Sequence, residues 1–90
     1  MAWDPNPGYH AAVTARRESD RPVAWYSIVT YYGPRRRFGR RKFKTVWRSD
    51  EVKVEGHLLS SEKNNAEQSR LLREAEDVAM KMEKENPNGV

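Results

Sequence analysis

Seven of the ten residues from Arg35 to Lys44 are basic, and none is acidic. Five are arginines (Arg35, Arg36, Arg37, Arg40, Arg41) and two are lysines (Lys42, Lys44). Guanidinium forks suit bidentate contact with phosphate or carboxylate, and their flat faces stack on bases. Phe38 stands inside the cluster as a candidate wedge or stacking group, and Tyr26 and Tyr32 lie just upstream. Basic β-ribbons enter the major groove, and basic sheet faces with aromatic residues hold single strands. If about five of these cations met duplex phosphates, log K would fall with log salt at a slope near −4.5.

Other chemistries find little support. His10 and His57 are far apart, neither has a helical-spacing partner, and the chain has no cysteine. That removes thiolate metal sites, cysteine nucleophiles and disulfides. Gly33 to Gly39 lacks the Gly-Lys-Ser/Thr ending of a phosphate-cradling loop. Ser60-Ser61 lacks the glycines of a nucleophile elbow. The expectation is a non-enzymatic binding protein with no cofactor and no metal.

The basic run needs a scaffold, and the flanking patterns supply one. Val23 to Tyr32 (VAWYSIVTYY) is rich in β-branched and aromatic residues and reads as a strand, ended by Gly33-Pro34. Arg41 to Arg48 alternates, with Phe43, Thr45 and Trp47 on one side and Lys42, Lys44 and Arg48 on the other. Val46 is the one apolar residue on that second side. Val52 to Leu59 alternates again after a polar Ser49-Asp50-Glu51 turn, and short connections favour an antiparallel meander. Asn64 and Glu67 have the spacing of a capping box, and Leu71, Leu72, Ala75, Val78, Ala79 and Met82 follow as one apolar helical stripe. Asn86-Pro87-Asn88-Gly89 ends that helix.

The expected fold class is therefore α+β: a three-stranded antiparallel β-meander packed against one C-terminal α-helix, in the order β-β-β-α. A short helix over Tyr9 to Arg17 is expected in front. Residues 1–21 read as an N-terminal arm, 22–86 as a single domain and 87–90 as a tail. One helix covers only one side of such a sheet. The favoured arrangement puts Trp25, Val29, Phe43, Trp47, Val54 and Leu58 under it, leaving Tyr26, Ile28, Tyr32, Lys42 and Lys44 on an open face; the first strand, apolar on both sides, fits the reverse arrangement as well.

Bulk composition agrees with a single small domain. The chain has 90 residues, nine of them aromatic, and a net charge of +4. That charge is polarised: residues 1–48 carry eleven Lys/Arg against three Asp/Glu, and residues 49–90 carry six against ten. Clustering of this kind creates a local field able to capture a polyanion. The N-terminus has no signal-peptide pattern, and no apolar stretch reaches the length needed to span a bilayer. A cytoplasmic setting, or the host cell interior for a viral protein, is expected, with no membrane partner.

The β-β-β-α order and the stretch GRRKFKTVW resemble the arm-site DNA-binding domains of tyrosine recombinases, whose three-stranded sheet, backed by a C-terminal helix, enters a DNA groove. The resemblance spans about Val23 to Met82 and implies the topology alone. Two functional expectations stay open. The first is nucleic-acid binding, DNA or RNA, through Arg35, Arg36, Arg37, Phe38, Arg40, Arg41, Lys42 and Lys44, with Tyr26 and Tyr32 as stacking surface. The second is a small protein-binding regulator or inhibitor, of the viral accessory type, docking the loop and open sheet face on an acidic protein. In either case the uncovered face offers a surface for a homodimer.

Overall fold

The computed structural model describes residues 5–54 and 61–87, with side chains in the second stretch from Asn64 onward. Among the described residues, four strands and one helix follow in the order β1 (Gly8–Glu18), β2 (Arg21–Tyr32), β3 (Phe43–Arg48), β4 (Val52–Lys53) and α1 (Ser61–Glu85). The sheet is antiparallel, with β2 in the centre, β1 on one side, and β3 and β4 both on the other. The helix packs on β1 and β2. This is the α+β architecture expected, a meander of three rows backed by a C-terminal helix.

The short N-terminal helix does not form. Residues 8–18, expected within an arm, are the first strand and pair with nearly all of β2, from Gly8 opposite Tyr32 to Glu18 opposite Arg21. Local composition (HAAVTARRE) favours a helix, but pairing with β2 overrides so weak a preference. The join is a two-residue hairpin in which Ser19 and Asp20 both take positive φ, 48° and 65°. That left-handed pair suits the right-handed twist of the flanking strands.

The third row also differs. Ser49-Asp50-Glu51, read as a turn between two paired strands, is instead an interruption in one row. Above it β3 faces residues 28–32 of β2; below it β4 faces Ala24 and Trp25 of the same strand. The Val54 N–H still donates to the Val23 carbonyl at 3.0 Å. The expected continuation of this strand to Leu59, and Leu58 under the helix, lies outside the described residues.

A bulge decides which side chains face the helix. The β2–β3 register shifts between Val29 and Thr30, so Val29 faces Trp47 while Thr30 faces Thr45. Val46 is the extra residue, and both Val46 and Trp47 pack towards the core around Val29, Ala75 and Ala79. Beyond the bulge the alternation is inverted. Phe43 pairs with Tyr32 and is 67% exposed, rather than lying under the helix as expected. Lys44 pairs with Tyr31, whose ring meets the core-packed Tyr9 at 4.9 Å, so Lys44 belongs to the helix-bearing side and not to the open face. Inserting one residue flips every later side chain, because the strand period is two.

The helix begins at Ser61, three residues before the expected cap, and Asn64 is buried within it. Five of the six residues of the expected stripe face the sheet: Leu71, Ala75 and Ala79 are buried, with Val78 and Met82 half-buried beside them, whereas Leu72 falls at its edge and is exposed. Full burial of a side chain such as Leu71 or Val29 contributes roughly 1.5–3 kcal/mol. Small Ala75 and Ala79 let the helix approach the sheet closely. At its far end the Tyr9 hydroxyl donates to the Asn86 carbonyl at 2.5 Å, joining the start of β1 to the helix terminus.

Candidate functional site

The basic segment is the connection between β2 and β3. The ladder continues one step past Tyr32, where the Gly33 N–H donates to the Lys42 carbonyl at 2.9 Å. A Cβ on Gly33 would stand 3.3 Å from that carbonyl oxygen, tighter than side chains ordinarily tolerate, which suits glycine at this position. From Pro34 to Arg41 there is no strand, and Gly39 turns the loop at a φ of 83°.

The cations here divide into two groups. Arg41 is half-buried and holds the base of the loop. Its Nε donates to the Gly33 carbonyl at 2.8 Å, its terminal nitrogen reaches the Pro5 carbonyl, and its guanidinium lies 5.4 Å from the centre of the Tyr32 ring. Arg35 donates to the Asn6 side-chain oxygen at 3.1 Å, so the N-terminal segment is tied to the same loop. Arg36, Arg37, Arg40, Lys42 and Lys44 are all exposed, and among the described residues none is paired with a carboxylate. Arg36 makes a long bond of 3.4 Å to the Arg40 carbonyl, which curls the loop. Phe38 is 82% exposed at the tip, with the Arg37 guanidinium 5.9 Å from its ring centre.

At the base of the loop, Tyr31, Gly33, Pro34, Arg41, Lys42, Phe43 and Lys44 line an open concavity of about 620 Å³. It brings three of the expected cations to one place. Beside it, on the face opposite the helix, the rings form a row. Phe43 stacks on Tyr32 at 5.7 Å and 26°, and His10 meets the same Tyr32 edge-on at 5.6 Å and 75°. His10 is also placed by the Asn6 carbonyl, 2.6 Å from its Nε2. His57 lies outside the described residues.

Tyr26 shares this open face but not this surrounding. The Arg48 guanidinium sits 4.0 Å over its ring. Arg48 donates in turn to Glu51 at 3.0 Å, and Glu51 also accepts from the Arg16 Nε at 3.1 Å. Arg16 reaches Glu18 as well, at 2.7 Å. The hydrogen bond to Glu18, then that to Glu51, hold the Arg16 guanidinium above its ordinary pKa. A raised pKa makes this contribution fully present below the ordinary guanidinium range, fading only as pH climbs beyond it. All these groups are partly exposed, where solvent screens ion pairs heavily. The open face therefore has two ends: carboxylates balance arginines beside Tyr26, whereas Phe43 stands next to the β2–β3 loop, whose exposed Arg36, Arg37 and Arg40 have no carboxylate partner among the described residues.

Sequence reasoning missed Phe43 and Arg16 as members of this face, and placed Arg48 on it without foreseeing its contact with Tyr26. The misplaced Val46 was the signal for the first, since an apolar residue on a polar side marks a bulge. Nothing local marks Arg16, whose role depends on β1 being a strand.

These features define a small α+β domain that presents a cationic hairpin loop beside an exposed aromatic pair. The chain matches no family model, no curated protein and no solved structure. Among the described residues, no helix is long and apolar enough to cross a membrane.

Proposed function

We propose that this protein binds nucleic acid without catalysing a reaction, using the β2–β3 loop and the adjoining end of the open sheet face. One observation carries the reading. Arg36, Arg37, Arg40, Lys42 and Lys44 are exposed and have no carboxylate partner among the described residues, while Phe38 and Phe43 stand exposed along the same segment. A cationic surface alone would equally suit an acidic protein. Exposed rings interleaved with guanidinium groups favour a polyanion that also carries flat faces, because stacking then adds to phosphate neutralisation. Arg41 and Arg35 serve this surface by anchoring the loop, and Tyr32 by supporting Phe43.

Polarisation titrations with labelled DNA and RNA at several salt concentrations test the proposal. Binding should weaken as salt rises, and replacing Arg36, Arg37 and Arg40 by Ser should weaken it further at low salt. Absence of salt-dependent binding to either polymer would remove the reading. Stoichiometric recovery of an acidic protein from nuclease-treated lysate would then favour the regulator or inhibitor role.

A further inference from the structure

We infer that the nucleic acid taken by this surface is single-stranded, with Phe43 as the principal stacking post and Phe38 as a second. This rests on the nucleic-acid reading above and narrows it to a substrate class. The first argument is geometric. Entry of a β-ribbon into a major groove needs two paired strands that project from the domain. Here pairing ends at Gly33 and Lys42, and the residues from Pro34 to Arg41 form an irregular loop. The cations are spread around a turn rather than aligned along a ribbon.

The second argument concerns ring faces. Tyr32 backs Phe43 at 5.7 Å with nearly parallel planes, yet Phe43 remains 67% exposed. One side of the ring is thus supported and the other is presented to solvent. His10, edge-on to Tyr32, fixes the support in turn. A platform held this way loses little conformational freedom when a base stacks on it. Bases in a duplex show proteins only their edges, whereas an unpaired base has a free face to stack. Tyr26 does not provide a comparable post, because Arg48 already covers its ring. The stacking site therefore lies at the loop end of the face, against the concavity lined by Arg41, Lys42 and Lys44.

The test is a set of polarisation titrations of the full chain. The probe is a labelled DNA oligonucleotide of about 16 nucleotides, used single-stranded and annealed to its complement. Wild type is compared with Phe43→Ala and Phe43→Tyr, whose folding is checked by circular dichroism. Wild type should bind the single strand more tightly than the duplex. Phe43→Ala should weaken single-strand binding by roughly tenfold with little effect on the duplex, and Phe43→Tyr should retain it. Equal or tighter duplex binding, or a Phe43→Ala effect that is absent or the same on both probes, would overturn the single-strand assignment while leaving nucleic-acid binding in place. Failure to bind either DNA probe, and an RNA strand of the same length as well, would overturn both readings.

Discussion

The backbone N–H of Ser27 donates to the Ser49 hydroxyl oxygen at 2.8 Å, and the Ser49 N–H returns to the Ser27 carbonyl at 2.9 Å. Ser27 is fully buried at the centre of β2, opposite the point where its neighbouring row is interrupted. A side-chain oxygen thus replaces the missing ladder acceptor, and the Ser49 hydroxyl in turn donates a hydrogen bond to the Asp50 carbonyl at 3.0 Å. Buried backbone donors need such partners. Ser49→Ala should therefore destabilise the fold by about 1–3 kcal/mol, the usual cost of an orphaned buried polar group. Urea denaturation would read that loss, and hydrogen exchange should quicken at the Ser27 amide. An unchanged midpoint would show that the hydroxyl is replaceable.

Leu71 and Leu72 are neighbours on the helix with opposite surroundings: Leu71 is 1% exposed and Leu72 36%. Leu71→Ala should cost about 2–5 kcal/mol, since it removes buried methyl groups and leaves a void beside the sheet. Leu72→Ala should shift stability by only about 0.5 kcal/mol. Paired denaturation curves for the two variants check the position of the helix stripe, and similar losses would contradict it.

Glu51 accepts from both Arg16 and Arg48 on the open face. Glu51→Gln should leave the unfolding midpoint nearly unchanged, because these are solvent-screened pairs. It should also tighten binding to an anionic polymer, most clearly at low salt, by removing the carboxylate that Arg48 shares with Arg16, while Arg16 keeps Glu18. Titrations at low and high salt would reveal this. Weaker binding by the variant would mean that Glu51 orders Arg48 for the ligand rather than competing with it.

Arg36, Arg37 and Arg40 are exposed, so a triple Ser variant should fold like the wild type. On a single-stranded probe, each lost phosphate contact lowers the salt slope by about 0.7, giving a reduction of about 2 for the three. A weaker complex with an unchanged slope would assign these residues a role other than phosphate neutralisation.

Much of this architecture is legible in the sequence, for identifiable reasons. Val23 to Tyr32 combines β-branched and aromatic residues with a Gly-Pro stop, and β2 spans Arg21–Tyr32. The helix stripe needs only its 3.6-residue spacing, and its stop before Pro87 follows from the missing N–H of proline. β1 is obscured because its residues include Ala11, Ala12 and Ala15, good helix formers that are also small enough for a sheet edge. Its true marker, a two-residue turn at Ser19-Asp20, carries no glycine and so lacks the common hairpin signature. The position of the basic loop follows from the two strands that flank it. The exposure of Phe43 does not, since it depends on a one-residue bulge that strict alternation conceals. Likewise, Ser49-Asp50-Glu51 has turn-like composition whether it reverses the chain or only interrupts a row.

The most direct test of the central claim is to map amide and arginine side-chain NMR shifts as unlabelled oligonucleotide is added to the labelled chain. The largest changes should fall on Gly33 to Lys44 and on Tyr32, with the exposed side of α1 and the balanced end around Arg16 and Glu51 nearly silent. Changes centred on the helix or on β1, with the loop unmoved at saturation, would contradict the account.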